Sequence, residues 1–225
     1  MTLQAFHNDT KIQQKFINRL EDHFKQDEII KGTYWENGKG CAVGCTVHSN
    51  SHNCYELELG IPEWLAKLED TLFEGMENEK AKEFPLKFLQ SIPLGFDNWQ
   101  HIYHQLCVFM LENICKDTDN KIVVKAICDI ITLHKTESKD ESAWSAARSA
   151  AESAARSAAR SAARSAAESA ARSAAESAEW SAAAWSAVQS AAQSAVQSAV
   201  QSAAAWSAAY YEISKELIRL LESEK

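Results

Sequence analysis

The chain has very few residues that break a helix. Of 225 residues, seven are glycine and three are proline, and neither type occurs after Gly95. Nothing in the last 130 residues is therefore an obvious interruption, and nothing there requires a sheet. The N-terminus, MTLQAFHNDTK, lacks the apolar run of a signal peptide. The six cysteines accordingly read as reduced thiols of a cytoplasmic protein. Basic charge is also short, with 23 Lys and Arg against 31 Asp and Glu, a net charge of −8. Residues 1–140 hold most of the imbalance, 15 basic against 22 acidic. That argues against a general nucleic-acid binder, although Ser145–Arg172 is locally positive.

What the chain has in abundance is alanine and serine. From Ser142 to Tyr211 it repeats Ser-Ala-Ala-Xaa, with Arg, Glu or Gln most often in the fourth place. Alanine is the best helix former, and Arg, Glu and Gln are nearly as good. Arg148, Glu152 and Arg156, and then Arg164, Glu168, Arg172 and Glu176, form opposite-sign ladders at i,i+4. The expectation is a long helix, either one rod or a hairpin folded near Glu179–Ala184, where no turn residue marks the bend. Four residues advance a helix by about 400°, so each repeat drifts by about 40°. Serine is strictly every fourth residue from Ser145 to Ser181, and its stripe therefore winds round the axis. This half has no constant apolar face and reads as a solvated spacer or close-packed alanine strut.

Extra residues at Ser181–Trp185 and Ser202–Trp206 reset the phase and bring Trp185, Val188, Val196, Val200 and Trp206 to one broad face. This half should bury that face, and Ile213, Leu217, Leu220 and Leu221 continue the stripe. Ser181–Tyr211 contains no charge, and its two outer tryptophans are about one bilayer core apart. Four glutamines and the intervening serines make a membrane span costly, so a membrane location is not expected.

About 140 residues precede the repeat, enough for one ordinary core. Asp9 or Thr10 can cap a first helix with apolar positions Ile12, Phe16, Ile17, Leu20 and Phe24, extending as far as Gly32. Pro62 suits the start of a second helix that ends at Gly75. A third around Glu79–Gln90 is expected to be bent or begun at Pro85, a fourth opens at Phe96 or Asp97, and a fifth covers Ile122–Leu133. Short strands fit near Thr33–Trp35 or Cys54–Leu59. The fold class is all-α: a small helical globular head over residues 1–134, a linker at 135–141, and the Ala/Ser-rich repeat helix with an amphipathic end at 142–225.

The stretch between Gly38 and Gly60 is where chemistry is expected. Cys41, Cys45, His48 and His52 follow a C-x3-C-x2-H-x3-H spacing suited to zinc. On one helix the first and last would stand about 16 Å apart, so a single site needs a loop conformation. Cys41 falls near a helix N-terminus, which favours a thiolate. His23 and Asp27 lie i,i+4 on the first helix, and Glu56 follows the histidines, completing an imaginable acid–histidine–thiol set. The competing reading of the same residues is structural, with small side chains allowing close packing. His101 and His104 read as satisfied, partly buried histidines, and Cys107, Cys115 and Cys128 as core residues.

The blocks QDEIIKGTYWENGKGCAVGCTVHS and HNCYELELGIPEWLAKLEDTLFEGM, followed by Ser-Ala-Ala-Trp/Arg/Glu repeats, resemble a family of uncharacterised bacterial and phage proteins. The resemblance covers nearly the whole chain, and GCAVGCT and ELGIP are its specific parts. The matching polar positions are His23, Asp27, Cys41, Cys45, His48, Tyr55 and Glu56. It implies a globular head with a repeat tail and names no reaction. The leading expectation is a non-catalytic interaction or assembly protein that meets a protein partner or itself through the repeat helix, without a cofactor. The alternative is a small cytosolic thiol- or metal-dependent enzyme centred on Cys41, Cys45 and His48, with zinc in the metal version.

Overall fold

The structure, a computed structural model, describes residues 2–116, 120–157, 160, 205 and 207–225. Over these residues the fold is all-α, with one minimal β-hairpin among them. The chain forms two compact units: Met1–Leu106 together with Ala205–Lys225, and Cys107–Ala204.

In the first unit, α1 (Thr10–Lys25) starts where Asp9 accepts the backbone N–H of Lys11 at 2.7 Å. It stops seven residues short of Gly32, because the backbone beyond it is used otherwise. Ile30 N–H donates to the Gly40 carbonyl, and Gly40 N–H donates to the Glu28 carbonyl. The chain then forms the hairpin of β1 (Trp35–Glu36) and β2 (Lys39–Gly40), with Trp35 opposite Gly40. The short α2 (Ala42–Val47) follows, buried throughout. Residues Tyr55–Leu59, within the Cys54–Leu59 stretch whose sequence fits a short strand, instead form a π-helical turn. Gly60 ends it with φ 65°, and a Cβ there would land on the Gln4 carbonyl.

The next helices are α3 (Glu63–Gly75) and α4 (Asn78–Ser91), the latter continuing through Pro85. α1 packs on α2 and α4, and α3 packs on both of those. Phe16, Leu20, Leu65, Leu72, Phe73, Phe88 and Leu89 make the core between them. The first half of α5 (Trp99–Lys116) adds Ile102 and Leu106, and the Trp99 indole donates to the Leu3 carbonyl at 2.9 Å. Ahead of α1, Phe6, His7 and Asn8 form a left-handed turn with φ 55°, 51° and 54°. Such a turn is costly for residues with a Cβ. Complete burial of Phe6 and the bond from Ala5 N–H to the Phe96 carbonyl hold it.

The C-terminal residues 207–222 are helical and belong to this same unit. Leu217 and Leu221 are fully buried, as their place in the apolar stripe requires. The Tyr210 ring lies against Gly75, the Lys80 ammonium stands 4.6 Å from the centre of the Tyr211 ring, and Ser214 meets Met76. The unit boundaries thus fall elsewhere than the 134/142 division expected, because the chain's end carries core residues of the head.

In the second unit, the rest of α5 packs with α6 (Lys121–Lys135) around Val108, Ile127 and Ile131, flanked by Leu111, Cys115 and Val123. Asn120 caps α6, accepting the N–H groups of Ile122 and Val123. Asp140 caps the helical run 141–157 by accepting from Ser142 and Ala143 N–H, so the repeat opens as a helix. Arg156 and Glu152 make one rung of the expected ladder, 3.6 Å apart. The ladder from Arg164 onward, the face shared by Trp185 and Trp206, and the fold-back near Glu179–Ala184 lie outside the described residues. No helix of the described residues is long and apolar enough to cross a membrane.

Two substitutions test this packing by chemical denaturation of the full-length protein. Leu217→Ala should cost about 2–5 kcal/mol, as for other buried leucines. In Gly44→Ala the new methyl would strike the Tyr34 carbonyl oxygen, which is backbone and has little room to move. A loss of about 3 kcal/mol, the upper part of the usual overpacking range, is expected. A silent Gly44→Ala would mean that the hairpin does not rest on α2.

Candidate functional site

Gly40 ends β2 and Gly44 lies four positions on in α2, and the Tyr34 carbonyl lies where a Cβ at either would project. Only glycine lets the Tyr34–Trp35 backbone approach α2 this closely. That approach sets the Trp35 ring flat on the His48 imidazole, with centroids 4.2 Å apart and planes at 10°. His48 is the left-handed C-cap of α2, with φ 54° and its N–H on the Gly44 carbonyl. Its ring is thereby turned toward α1, where His23 waits nearly fully buried.

His23 meets the other two rings edge-on, at 5.0 Å from His48 and 5.4 Å from Trp35. Its Nε2 lies 2.8 Å from Nε2 of His48, and its Nδ1 lies 2.7 Å from the Glu28 carboxylate. The carboxylate partner of His23 is therefore Glu28 and not Asp27. The helix has ended by Lys25, so the i,i+4 geometry expected for His23 and Asp27 does not form. Asp27 instead adopts φ 54° and pairs with Lys82 at 2.7 Å on the surface. Burial, then the charges of Arg19 and His23, lower the His48 pKa to about 4. At neutral pH the exposed His48 is a neutral ring.

The two thiols are placed differently. Cys41 caps the N-terminus of α2 and is almost fully buried; Cys45 is completely buried. Burial pushes Cys45 up to about 12, and burial with a hydrogen bond to Asp70 pushes Cys41 higher still. The Cys45 thiol donates to the Gly40 carbonyl at 3.3 Å. The thiolate expected at the helix N-terminus is thus not formed, because desolvation outweighs the dipole of a six-residue helix. Glu56 also does not join the set: its carboxylate accepts the Glu63 N–H at 2.9 Å and caps α3.

His52 belongs to a second group. The Tyr34 hydroxyl is 2.8 Å from His52 Nε2, which lies 3.5 Å from the Asp70 carboxylate. Beside it, the Tyr55 hydroxyl donates to Glu69 at 2.6 Å, both side chains fully buried. The second carboxylate oxygen of Glu69 has no hydrogen-bond partner. Burial raises Glu69 to about 8. Cys41, Cys45, His48 and His52 therefore divide between the core, the His23 contact and the Tyr34 contact. Among the described residues no group of three or more His, Cys, Asp or Glu side chains could hold a metal ion, so this set does not fit zinc.

Sequence reading missed Glu28, Tyr34, Trp35, Glu69 and Asp70. Glu69 had a legible signal, since it occupies a core position between Leu65, Ala66, Leu72 and Phe73 on the apolar face of α3. His104 is buried and bonded to Gln100 at 3.0 Å, in keeping with a satisfied histidine. Cys128, expected in a core, is exposed on α6. Compared with protein-family models, curated proteins and solved structures, the chain matches none.

Glu69 gives a pH test. Its pKa is about 8 folded, against an ordinary 4.5, so between these values the folded state holds a proton that the unfolded chain releases. Stability should fall as pH rises through that window. Glu69→Gln should flatten this part of the profile when urea midpoints are compared from pH 5 to 9. An unchanged slope would show that Glu69 is not the group responsible.

Proposed function

We propose that the head carries an acid–base site in which His48 meets the substrate and His23 and Glu28 move the charge inward. The observation that carries this reading is the unbroken chain Glu28–His23–His48, with contacts of 2.7 and 2.8 Å and an exposed end. With Glu28 ionised, it accepts the Nδ1–H of His23, and His23 Nε2 accepts the Nε2–H of His48. Nδ1 is then the remaining acceptor on His48. When it takes a proton from a substrate hydroxyl or amine, the Nε2 proton passes to His23. Positive charge comes to rest on His23 beside Glu28 rather than on His48. A shuttle of this kind supports general acid–base catalysis, typically worth 10²–10⁴-fold. The buried thiols take no part.

The measurement is ¹⁵N NMR of the imidazole side chains, read alongside turnover of a panel of activated esters and phosphoesters. His48 should keep one protonated and one bare nitrogen down to about pH 4. Glu28→Gln and His48→Ala should each lower turnover about 100-fold, and Asp27→Asn should leave it unchanged. A His48 that titrates near 6.5 with intact turnover in both variants would remove the relay from the chemistry.

A second reading is non-catalytic assembly, with a protein partner or another copy met through the repeat helix. It is favoured by the small alanine and serine side chains of the repeat, which let helices approach closely. Cytoplasmic location fits both readings, since all six cysteines are free thiols. Sedimentation of the full-length protein over a range of concentrations separates the self-association case. A monomer throughout would end it.

A further inference from the structure

A cleft of about 180 Å³ opens in the first unit between residues 27–31 and the junction of α3 with α4. None of His23, Glu28 and His48 lines it. Its apolar wall is Ile29, Phe73 and Ala81, all buried, with the half-buried Ile30 beside them. The rest of the lining is polar. Lys82 pairs with Asp27 at 2.7 Å, and the Lys31 ammonium donates to the Met76 carbonyl at the end of α3. Lys31 is half-buried, and among the described residues it makes no ion pair. The Glu74 carboxylate comes to the neighbouring Gly32 and accepts its N–H at 2.9 Å. Burial outweighs the charge of Glu74 and lowers the Lys31 pKa, as for an ammonium short of anionic partners. Of the lining side chains Lys31 and Lys82 are positive and Asp27 is negative, which leaves one net positive charge over an apolar wall.

We propose that this cleft binds a small monocarboxylate, with its apolar body against Ile29, Phe73 and Ala81 and its carboxylate on the Lys31 ammonium. Size and charge both select this class. A cavity of about 150 Å³ can hold a benzene ring, whereas pockets for drug-sized ligands begin at about 300 Å³. A cleft of about 180 Å³ therefore suits one ring or a short chain. An ammonium has three N–H donors, and Met76 takes one of those on Lys31, leaving donors for a carboxylate. A fully polar anion would leave the apolar wall uncovered, and an amine would meet a rim of its own sign.

The test is calorimetric titration of the full-length protein with benzoate, with benzamide and benzylamine as neutral and cationic analogues of the same size. Benzoate should bind at one site per chain with a Kd in the millimolar range. Benzamide should bind about tenfold more weakly, the scale of one hydrogen bond to a charged group, and benzylamine more weakly still. Lys31→Met keeps an aliphatic stem without the charge; it should weaken benzoate about tenfold and leave benzamide unchanged. Asp27→Asn should strengthen benzoate, because it makes the rim more positive, and asparagine tolerates the left-handed backbone at this position. Methyl NMR of the same samples should show benzoate shifting Ile29 and Ala81. Absence of benzoate binding, equal affinity for benzoate and benzamide, unchanged benzoate affinity in both variants, or methyl shifts confined to residues outside the cleft would each overturn the proposal.

Discussion

The contact on which the head depends is the Tyr34 carbonyl resting on two bare α-carbons, Gly40 at the end of β2 and Gly44 in α2. A strand backbone can approach a helix so closely only where both side chains are missing. Because it does, Trp35 covers His48, and His48 is pressed between an aromatic face and His23. The left-handed cap at His48 then has a packing partner that offsets its conformational cost. The GCAVGCT block is thus explained by shape, and its cysteines are the small residues that let the helix sink into the core.

Burial sorts the ionisable groups of this region by type. A thiol loses its charged form when desolvated, and so does an imidazole, but the neutral forms differ in use. A neutral buried thiol is inert. A neutral imidazole still offers one donor and one acceptor, and can pass a proton without holding a charge. The same short helix therefore buries Cys41 and Cys45 and leaves His48 exposed at its end. The buried Glu69–Tyr55 pair shows the same physics on a carboxyl group, whose neutral form is favoured up to about pH 8.

The helical architecture was legible from periodicity and caps: Asp9, Gly75 and the stripe ending in Leu221 all stand where they were expected, whereas α4 neither starts nor breaks at Pro85. The candidate site was half legible. His23 and His48 could be picked out by residue type, but their carboxylate partner depended on where α1 stops. That is decided by a bridge between Glu28–Ile30 and Gly40, a contact no local pattern announces. The metal spacing misled for a related reason, since cysteines four apart on a helix face the core together while the histidines beyond it follow the loop. The left-handed turn at Phe6–Asn8 had no signal at all, because tertiary packing overrides the preference of those residues.

The C-terminal helix joins a core whose other members were made first. Leu217 and Leu221 share one compact unit with residues that leave the ribosome before Leu106. At roughly 5–20 residues per second, that core waits on the order of ten seconds for its last side chains during synthesis. Pairing across so large a sequence separation also slows folding, since loop closure must precede the contacts that reward it. A chain cut short anywhere in the repeat would keep every residue of the candidate site yet lack part of the core beneath it. Its fate would be decided by chaperones and proteases before chemistry at His48 came into question.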